Sequence, residues 1–572
     1  MSGQKRPSGI LAWLAARAYK SFLTLSENMA QYSQKVLLEI LKENRKTEYG
    51  LRYDFNTIKS IGEYQKRIPL TMYADYEADI KRMVDGAKKV LTAGRISSFG
   101  LTSGTTGKSK MVPVSGKSRK VMAARMGLVA FHVTSVNFPG LLRRGRRLNI
   151  SSNVIAGFTR KGIPVGAITS SSARRMRHIQ SLMNTSPVEI AGLANYQDAL
   201  YLHLLFALLD SELKSISATF ASTILDLFYH LELHWPVLLN DLESGTITGE
   251  IQLTSPVRES LEKKLKDRRK RIKHWQRPAE LKNAFAAGLD GIASRIWPGL
   301  VCITTITSGT FQVYADKCRR YMDNIPFYSP FYAATEGFIG INLEPEKSNY
   351  TILPGTAFFE FLPVAEEAEV PTCLTIDQLQ TGEEYEVVIT NYSGFYRYRM
   401  GDIVKVVDHL NQLPVVEFVR RKGTLLNLAG EKTDTEAVNA ALRQALPASA
   451  YRIVDYTVYP DHETLPGYYT FFMELKDCRA DQAMINSLES GLEAALCETS
   501  PRYQAARAHN KLGCLKIGLL REGTFAEYKG RLTRQGVSPN QVKIPHVFTD
   551  PEKLAFFKEQ EYVPLSSLPG SV

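Results

Sequence analysis

Leu101-Thr102-Ser103-Gly104-Thr105-Thr106-Gly107-Lys108-Ser109-Lys110 crowds two glycines, three threonines and two serines into one short stretch that ends on lysine. Glycines let backbone N–H groups turn toward an anion, and the hydroxyls add donors, so such a loop can wrap phosphate oxygens. Gly107-Lys108-Ser109 matches the end of a Walker A loop, but that motif needs glycine where Thr102 stands, and the match fails. Taken alone, the stretch also reads as a surface turn, because glycine, serine and threonine favour turns.

Two later clusters change the balance. Tyr332-Ala333-Ala334-Thr335-Glu336-Gly337 sets a ring, a hydroxyl and a carboxylate close together. An aromatic face can stack on a base, and a carboxylate can hold Mg²⁺, a hard cation that prefers oxygen donors and phosphates. The competing reading is a core tyrosine with an N-cap threonine. Tyr396-Arg397-Tyr398-Arg399-Met400-Gly401-Asp402 ends in Gly-Asp before an apolar strand. Asp402 there can accept two ribose hydroxyls, or can be a turn aspartate. Each cluster is ambiguous by itself; the three together, in this order and well separated, point to a nucleotide site.

Composition bounds the rest. A chain of 572 residues exceeds one ordinary core, so two or more folded units are expected. At 44% hydrophobic and 23% charged residues it is globular rather than disordered. The apolar stretch Leu128–Phe138 carries His132, Ser135 and Asn137 and is too short for a membrane span. Arg17 and Lys20 interrupt the apolar run that starts at Ile10, so an amphipathic helix is expected there rather than a secretory leader. The six cysteines show no CxxC spacing, which fits a reducing compartment and the cytoplasm. Net charge is +13, much of it in Arg143–Arg147 and Lys263–Lys273. Without interleaved aromatics these runs read as solvated surface, and no nucleic acid is expected as a partner. His230 and His234 lie one helical turn apart, but the glutamate is not beside the first histidine as zinc proteases require.

Apolar spacing predicts a helix over Glu27–Asn44 and a long helical stretch over Tyr196–Leu242. Short strands are expected at Ala357–Val364, Tyr385–Asn391, Asp402–Val407 and Val415–Val419. A self-contained α+β unit follows, with helices at Glu436–Leu446 and Gln482–Leu496 and strands at Tyr451–Tyr459, Tyr468–Leu475 and Leu512–Leu520. The chain thus divides into 1–425 and 426–572.

In order, TSGTTGKSK, YAATE and YRYRMGD resemble the signatures of the adenylate-forming superfamily. More closely, the chain resembles the acyl acid amido synthetases of the auxin-responsive Gretchen Hagen family. That resemblance is carried by Phe331–Pro345, Ala357–Pro363, Gly382–Val407, Phe418–Asp434, Leu465–Leu475, Arg521–Phe525 and Asn540–Pro545, and runs from about residue 35 to 548. It implies an α/β fold: a large N-terminal adenylate-forming domain of mixed sheets and helices, with a smaller mobile α+β C-terminal domain. It further implies that ATP and Mg²⁺ are used to join a small carboxylic acid to an amino acid, with a monomer expected.

Position by position, the resemblance makes Thr102, Ser103, Gly104, Thr105 and Thr106 the ATP phosphate loop and has Tyr332 stack on adenine. Thr335 and Glu336 would face phosphate and Mg²⁺, and Asp402 would hold the ribose. Arg421 and Lys422 would serve the ribose and the interdomain hinge, and Lys543 would be the catalytic lysine reaching the α-phosphate and carboxylate. The loop reads TTGKSK, closer to the general superfamily form than to the plant Ser-Gly-Gly-Glu-Arg version. Walls of the acid pocket are expected along Leu128–Arg147, Phe158–Ile168 and a helix around Leu213–Leu225. An acyl-CoA or carrier-protein ligase shares the first half reaction, and a silent binding protein shares the fold. Retention of Glu336, Asp402 and Lys543 together argues against the silent binder.

Overall fold

The computed structural model describes residues 10–101, 110–142, 145–151, 157–166, 168, 183–193, 195–272, 275–308, 312–364, 372–421, 426, 428, 431, 433, 435–446, 452–461, 464, 466–477, 481–508, 512–534 and 544–562. Contacts divide the chain into two compact units, the larger including Met111–Val419 and the smaller including Arg420–Gln535.

Helix Met29–Asn44 forms as its apolar spacing predicts, burying Met29, Val36, Leu37, Ile40 and Leu41 along one face. That face joins the main apolar core of the larger unit, built on an eight-stranded sheet. The strands are β9 (Phe331–Ala334), β10 (Gly337–Ile341), β11 (Asn349–Ile352), β12 (Phe358–Pro363), β13 (Leu374–Thr375), β14 (Glu384–Thr390), β15 (Tyr398–Leu410) and β16 (Leu413–Arg421). Their order is β13-β12-β14-β15-β16-β11-β10-β9. Three strands separate β9 from β15, and at ~4.8 Å per step a flat sheet would hold them roughly 19 Å apart. Yet the Tyr332 hydroxyl donates to Asp402 Oδ2 at 2.9 Å. A Cβ on Gly337 of β10 would likewise sit 3.0 Å from Ile389 of β14. The sheet is therefore curled so that its β9–β10 edge meets its own middle.

A second sheet, ordered β2-β1-β5-β4, consists of β1 (Ile96–Leu101), β2 (Met111–Ser115), β4 (Gly157–Phe158) and β5 (Pro164–Gly166). A third holds β3 (Arg147–Asn149), β6 (Ser215–Phe220), β7 (Cys302–Ile306) and β8 (Phe327–Tyr328), all parallel. Helices pack on it around a separate core that includes Leu204, Phe228, Trp297 and Tyr321. Here the expected single helical stretch over Tyr196–Leu242 is corrected. It is two helices, Tyr196–Leu208 and Ala221–Ser244, with β6 between them. Residues from Leu213 to Phe220, expected as helix, are mostly strand. Ser215-Ile216-Ser217-Ala218-Thr219-Phe220 does alternate polar with apolar, but the run is only six residues long and is masked by the leucine-rich helices on either side of it. Pro236 stays inside the second helix.

In the smaller unit β17 (Arg452–Asp461) pairs antiparallel with β18 (Tyr468–Lys476), which pairs parallel with β19 (Lys516–Leu520). Helices Thr435–Ala445 and Gln482–Thr499 lie where expected. Helices Pro501–Ala508, Thr524–Arg534 and Pro551–Glu559 were not expected. Among the described residues no helix is long and apolar enough to cross a membrane.

Candidate active site

The hairpin β9–β10 pairs Ala334 with Gly337, leaving Thr335 and Glu336 as its two-residue turn. Tyr332 on β9 is 8% exposed, its ring tilted against Tyr350 and edge-on to Phe418, with centroids 5.8 Å away in both cases. Glu336 is 5% exposed. The Tyr398 hydroxyl donates to its Oε1 at 3.4 Å, and the Asn391 side-chain amide donates to its backbone carbonyl at 2.8 Å. Tyr398 is itself fixed by stacking on Phe395 at 4.5 Å. The turn is thus held from β15 and from the residue just after β14, which reach it only because the sheet curls.

Asp402 arrives through an irregularity. Arg399 lies opposite Val388 and Ile403 opposite Glu386, so Met400, Gly401 and Asp402 bulge against Val387 alone. Gly401 takes φ +76, which a side chain would oppose. A bulge re-aims side chains out of strand alternation, and here it directs Asp402 to the Tyr332 hydroxyl.

Strand β1 leads directly into Thr102. A Cβ on Gly100 would lie 2.6 Å from Thr335 Cγ2, so the end of β1 abuts the Thr335–Glu336 turn only because position 100 has no side chain. Thr102, Ser103, Gly104, Thr105 and Thr106 themselves lie outside the described residues, as do Lys422 and Lys543. Arg421 is the exposed last residue of β16. The structure therefore brings Tyr332, Thr335, Glu336 and Asp402 together at the end of β1.

Sequence reasoning missed what supports them. Arg397, at φ +47, donates through Nε to both oxygens of Glu360 at 3.1 and 3.3 Å. Its Nη1 donates to the carbonyls of Gln65 and Ile68 at 2.9 and 2.8 Å. Glu360 is fully buried; burial pushes its carboxyl up while Arg397 pulls it back down. Arg399 grips Glu386 with two hydrogen bonds, at 3.1 and 2.7 Å. The signal was present: Glu360 and Glu386 interrupt strongly apolar strands, and such a carboxylate needs a buried partner.

The basic run Lys263–Lys273 is not all solvated surface. Arg268 donates to the Thr185 carbonyl and lies over the Phe206 ring, and burial together with Arg146 lowers its pKa to about 10.

In the smaller unit the residues after Lys543 are anchored on β17. The Val458 N–H donates to the His546 carbonyl at 2.8 Å and the Phe548 N–H to the Val458 carbonyl at 3.0 Å. Ile544 is buried with Phe472, Phe525 and Phe557. In the Arg521–Phe525 stretch, the N–H groups of Gly523 and Phe525 donate to buried Glu474, at 2.7 and 2.8 Å, at the start of helix Thr524–Arg534.

Comparison with known proteins agrees along the chain. The GH3 family N-terminal domain matches residues 18–327, its central domain 350–421 and its C-terminal domain 434–552. An indole-3-acetic acid-amido synthetase of Arabidopsis thaliana is 30% identical over 92% of this chain and 91% of its own. A jasmonoyl–L-amino acid synthetase of Oryza sativa subsp. japonica is 28% identical over 93% of this chain and 94% of its own. The solved structure of GH3.15 acyl acid amido synthetase superposes with a TM-score of 0.83 at 25% identity, covering 98% of both chains. With all three domains matched in order, the chain belongs to the GH3 family.

Proposed function

We propose that this protein is an ATP-dependent acyl acid amido synthetase: it adenylates a small carboxylic acid and passes the acyl group to the amine of an amino acid. The observation that carries the reading is the meeting of Tyr332, Thr335, Glu336 and Asp402 at the end of β1, in a chain aligned throughout with amido synthetases. Asp402 receives the ribose hydroxyls and the Tyr332 ring lies along the adenine, while residues 102–106 wrap the phosphates. Glu336 and Thr335 offer one carboxylate and one hydroxyl, both hard oxygen donors. Among the described residues no three potential ligands cluster, so the set suits Mg²⁺ carried largely by nucleotide phosphates rather than an all-protein cage. When bound, Mg²⁺ supplies charge neutralisation to those phosphates.

A carboxylate and ATP repel, so Lys543 screens them while the acid oxygen attacks the α-phosphorus in line and pyrophosphate leaves. The acyl-adenylate is a mixed anhydride that water would destroy, and 426–572 encloses it as a lid. The amine nitrogen then attacks the acyl carbon, expels AMP and loses its proton. The lid turns about the segment near Lys422 to Asn427 between the two half reactions. The protein works as two pieces, 1–425 and 426–572, as a cytoplasmic monomer.

The test is acid-dependent ATP–pyrophosphate exchange across aryl, indolyl, fatty and hydroxy acids, then AMP release with each amino acid and with CoA. Exchange with one acid class, and release accelerated by an amino acid, is expected. Acceleration by CoA alone would assign a thioester ligase, and ATP binding without exchange for any acid would assign a binding protein. Asp402→Ala is expected to raise the KM for ATP about 10- to 100-fold, the scale of hydrogen bonds to a charged group, with a smaller change in kcat. An unchanged KM would remove Asp402 from the nucleotide site.

A further inference from the structure

The first helix, Ile10–Leu25, has two unlike faces. Ala15, Tyr19 and Phe22 turn inward, and Tyr19 stacks on His132 of helix Gly116–Asn137 at 4.6 Å. The outer side of its first turns is apolar and bare: Ile10 is 80% exposed, Leu11 52%, Trp13 59% and Leu14 40%. One turn further on the same side stands Arg17, its guanidinium 5.6 Å from the Trp13 ring centroid, and exposed Lys20 follows. Leaving four large apolar side chains in water is unfavourable, and clustered exposure of this kind marks an interaction surface. Charge selects the occupant. The first 26 residues carry Lys5, Arg6, Arg17 and Lys20 and no Asp or Glu. A rise of ~1.5 Å per residue places Arg17 about 6 Å behind Trp13, so apolar groups can enter an acyl boundary while the cations remain among headgroups. Tryptophan with nearby arginine and lysine suits that interface.

We propose that helix Ile10–Leu25 docks this protein reversibly on an anionic lipid bilayer, with Ile10, Leu11, Trp13 and Leu14 inserted and Arg17 and Lys20 against lipid phosphates and carboxylates. The experiment is co-sedimentation of the full chain with vesicles of phosphatidylcholine alone or with phosphatidylserine, at low and high salt, alongside tryptophan fluorescence. Binding to the serine-containing vesicles, weakened by salt and accompanied by a blue shift, is expected. W13E and L14E should each lower the bound fraction about tenfold while acid-dependent exchange stays at the parent rate, showing that the protein is folded. Three results would overturn the proposal: no partition into anionic vesicles, partition unaffected by W13E and L14E, or a concentration-dependent dimer without lipid that W13E abolishes. The last would assign the face to a second copy.

Discussion

Arg397→Ala is expected to lose about 3–5 kcal/mol of stability in urea unfolding, the scale for removing one member of a buried ion pair. The guanidinium serves three groups at once, the Glu360 carboxylate and the carbonyls of Gln65 and Ile68, tying the residue before β15 and strand β12 to the C-terminal end of helix Ile61–Arg67. Its removal leaves a fully buried carboxylate without its counter-charge, still accepting from the Gln65 side-chain amide, and takes a donor from two carbonyls. The loss should also depend on pH in a definite sense. Burial already holds the Glu360 carboxyl above its ordinary value despite Arg397 and the Gln65 side-chain amide; without Arg397 its folded pKa rises further above the unfolded value of about 4.3. The folded state then binds the extra proton between those two values, and the variant becomes less stable as pH rises through that window. Its deficit against the parent should be smaller at pH 5 than at pH 8. Arg399→Ala is the comparison: Arg399 is 30% exposed and bonds one carboxylate, so its loss should be smaller. A deficit at Arg397 below about 1 kcal/mol would contradict the buried-pair account.

Lys543→Ala is expected to slow acid-dependent exchange by about 10²- to 10³-fold, the scale of deleting one preorganised charge that faces a developing anion. Residues 544–548 are held along β17 by backbone hydrogen bonds and by the Ile544 side chain, so truncation at 543 removes a charge without loosening the chain that follows. ATP binding should change little. Amide formation from pre-made acyl-adenylate should proceed near the parent rate, because the repulsion that Lys543 is proposed to relieve belongs to the first half reaction. Exchange within twofold of the parent would show that another cation does this work.

Helix Met29–Asn44 and strands β12, β14 and β16 were legible because their patterns are local: apolar spacing, with glycine, asparagine and proline as punctuation. Strand β6 was not, since Ser215–Phe220 sits between two apolar helices and is buried like them. Of the site, Tyr332, Thr335, Glu336 and Asp402 could be named from residue chemistry and resemblance. That Asp402 leaves strand alternation at a bulge, and that Gly100 clears room for Thr335, depend on register and on contacts between distant segments. Arg397 and Arg399 sit inside the same quoted motif as Asp402, yet they bind the scaffold; only their partners, 37 and 13 residues away, reveal the difference.

The curl of the eight-stranded sheet couples the proposed nucleotide pocket to cooperative folding. Tyr332 and Asp402 are 70 residues apart in sequence and Glu336 and Tyr398 are 62, so neither pair exists until the intervening strands have paired and closed. Closing such loops costs chain entropy that no local contact repays early. The pocket therefore exists only in the closed sheet and is lost with any partial unfolding of the β9 edge. Nucleotide, by binding only the closed arrangement, stabilises the whole sheet by mass action. Backbone amides of β9 and β15 should consequently exchange with deuterium as one unit, three strands apart, and slow together when ATP is added.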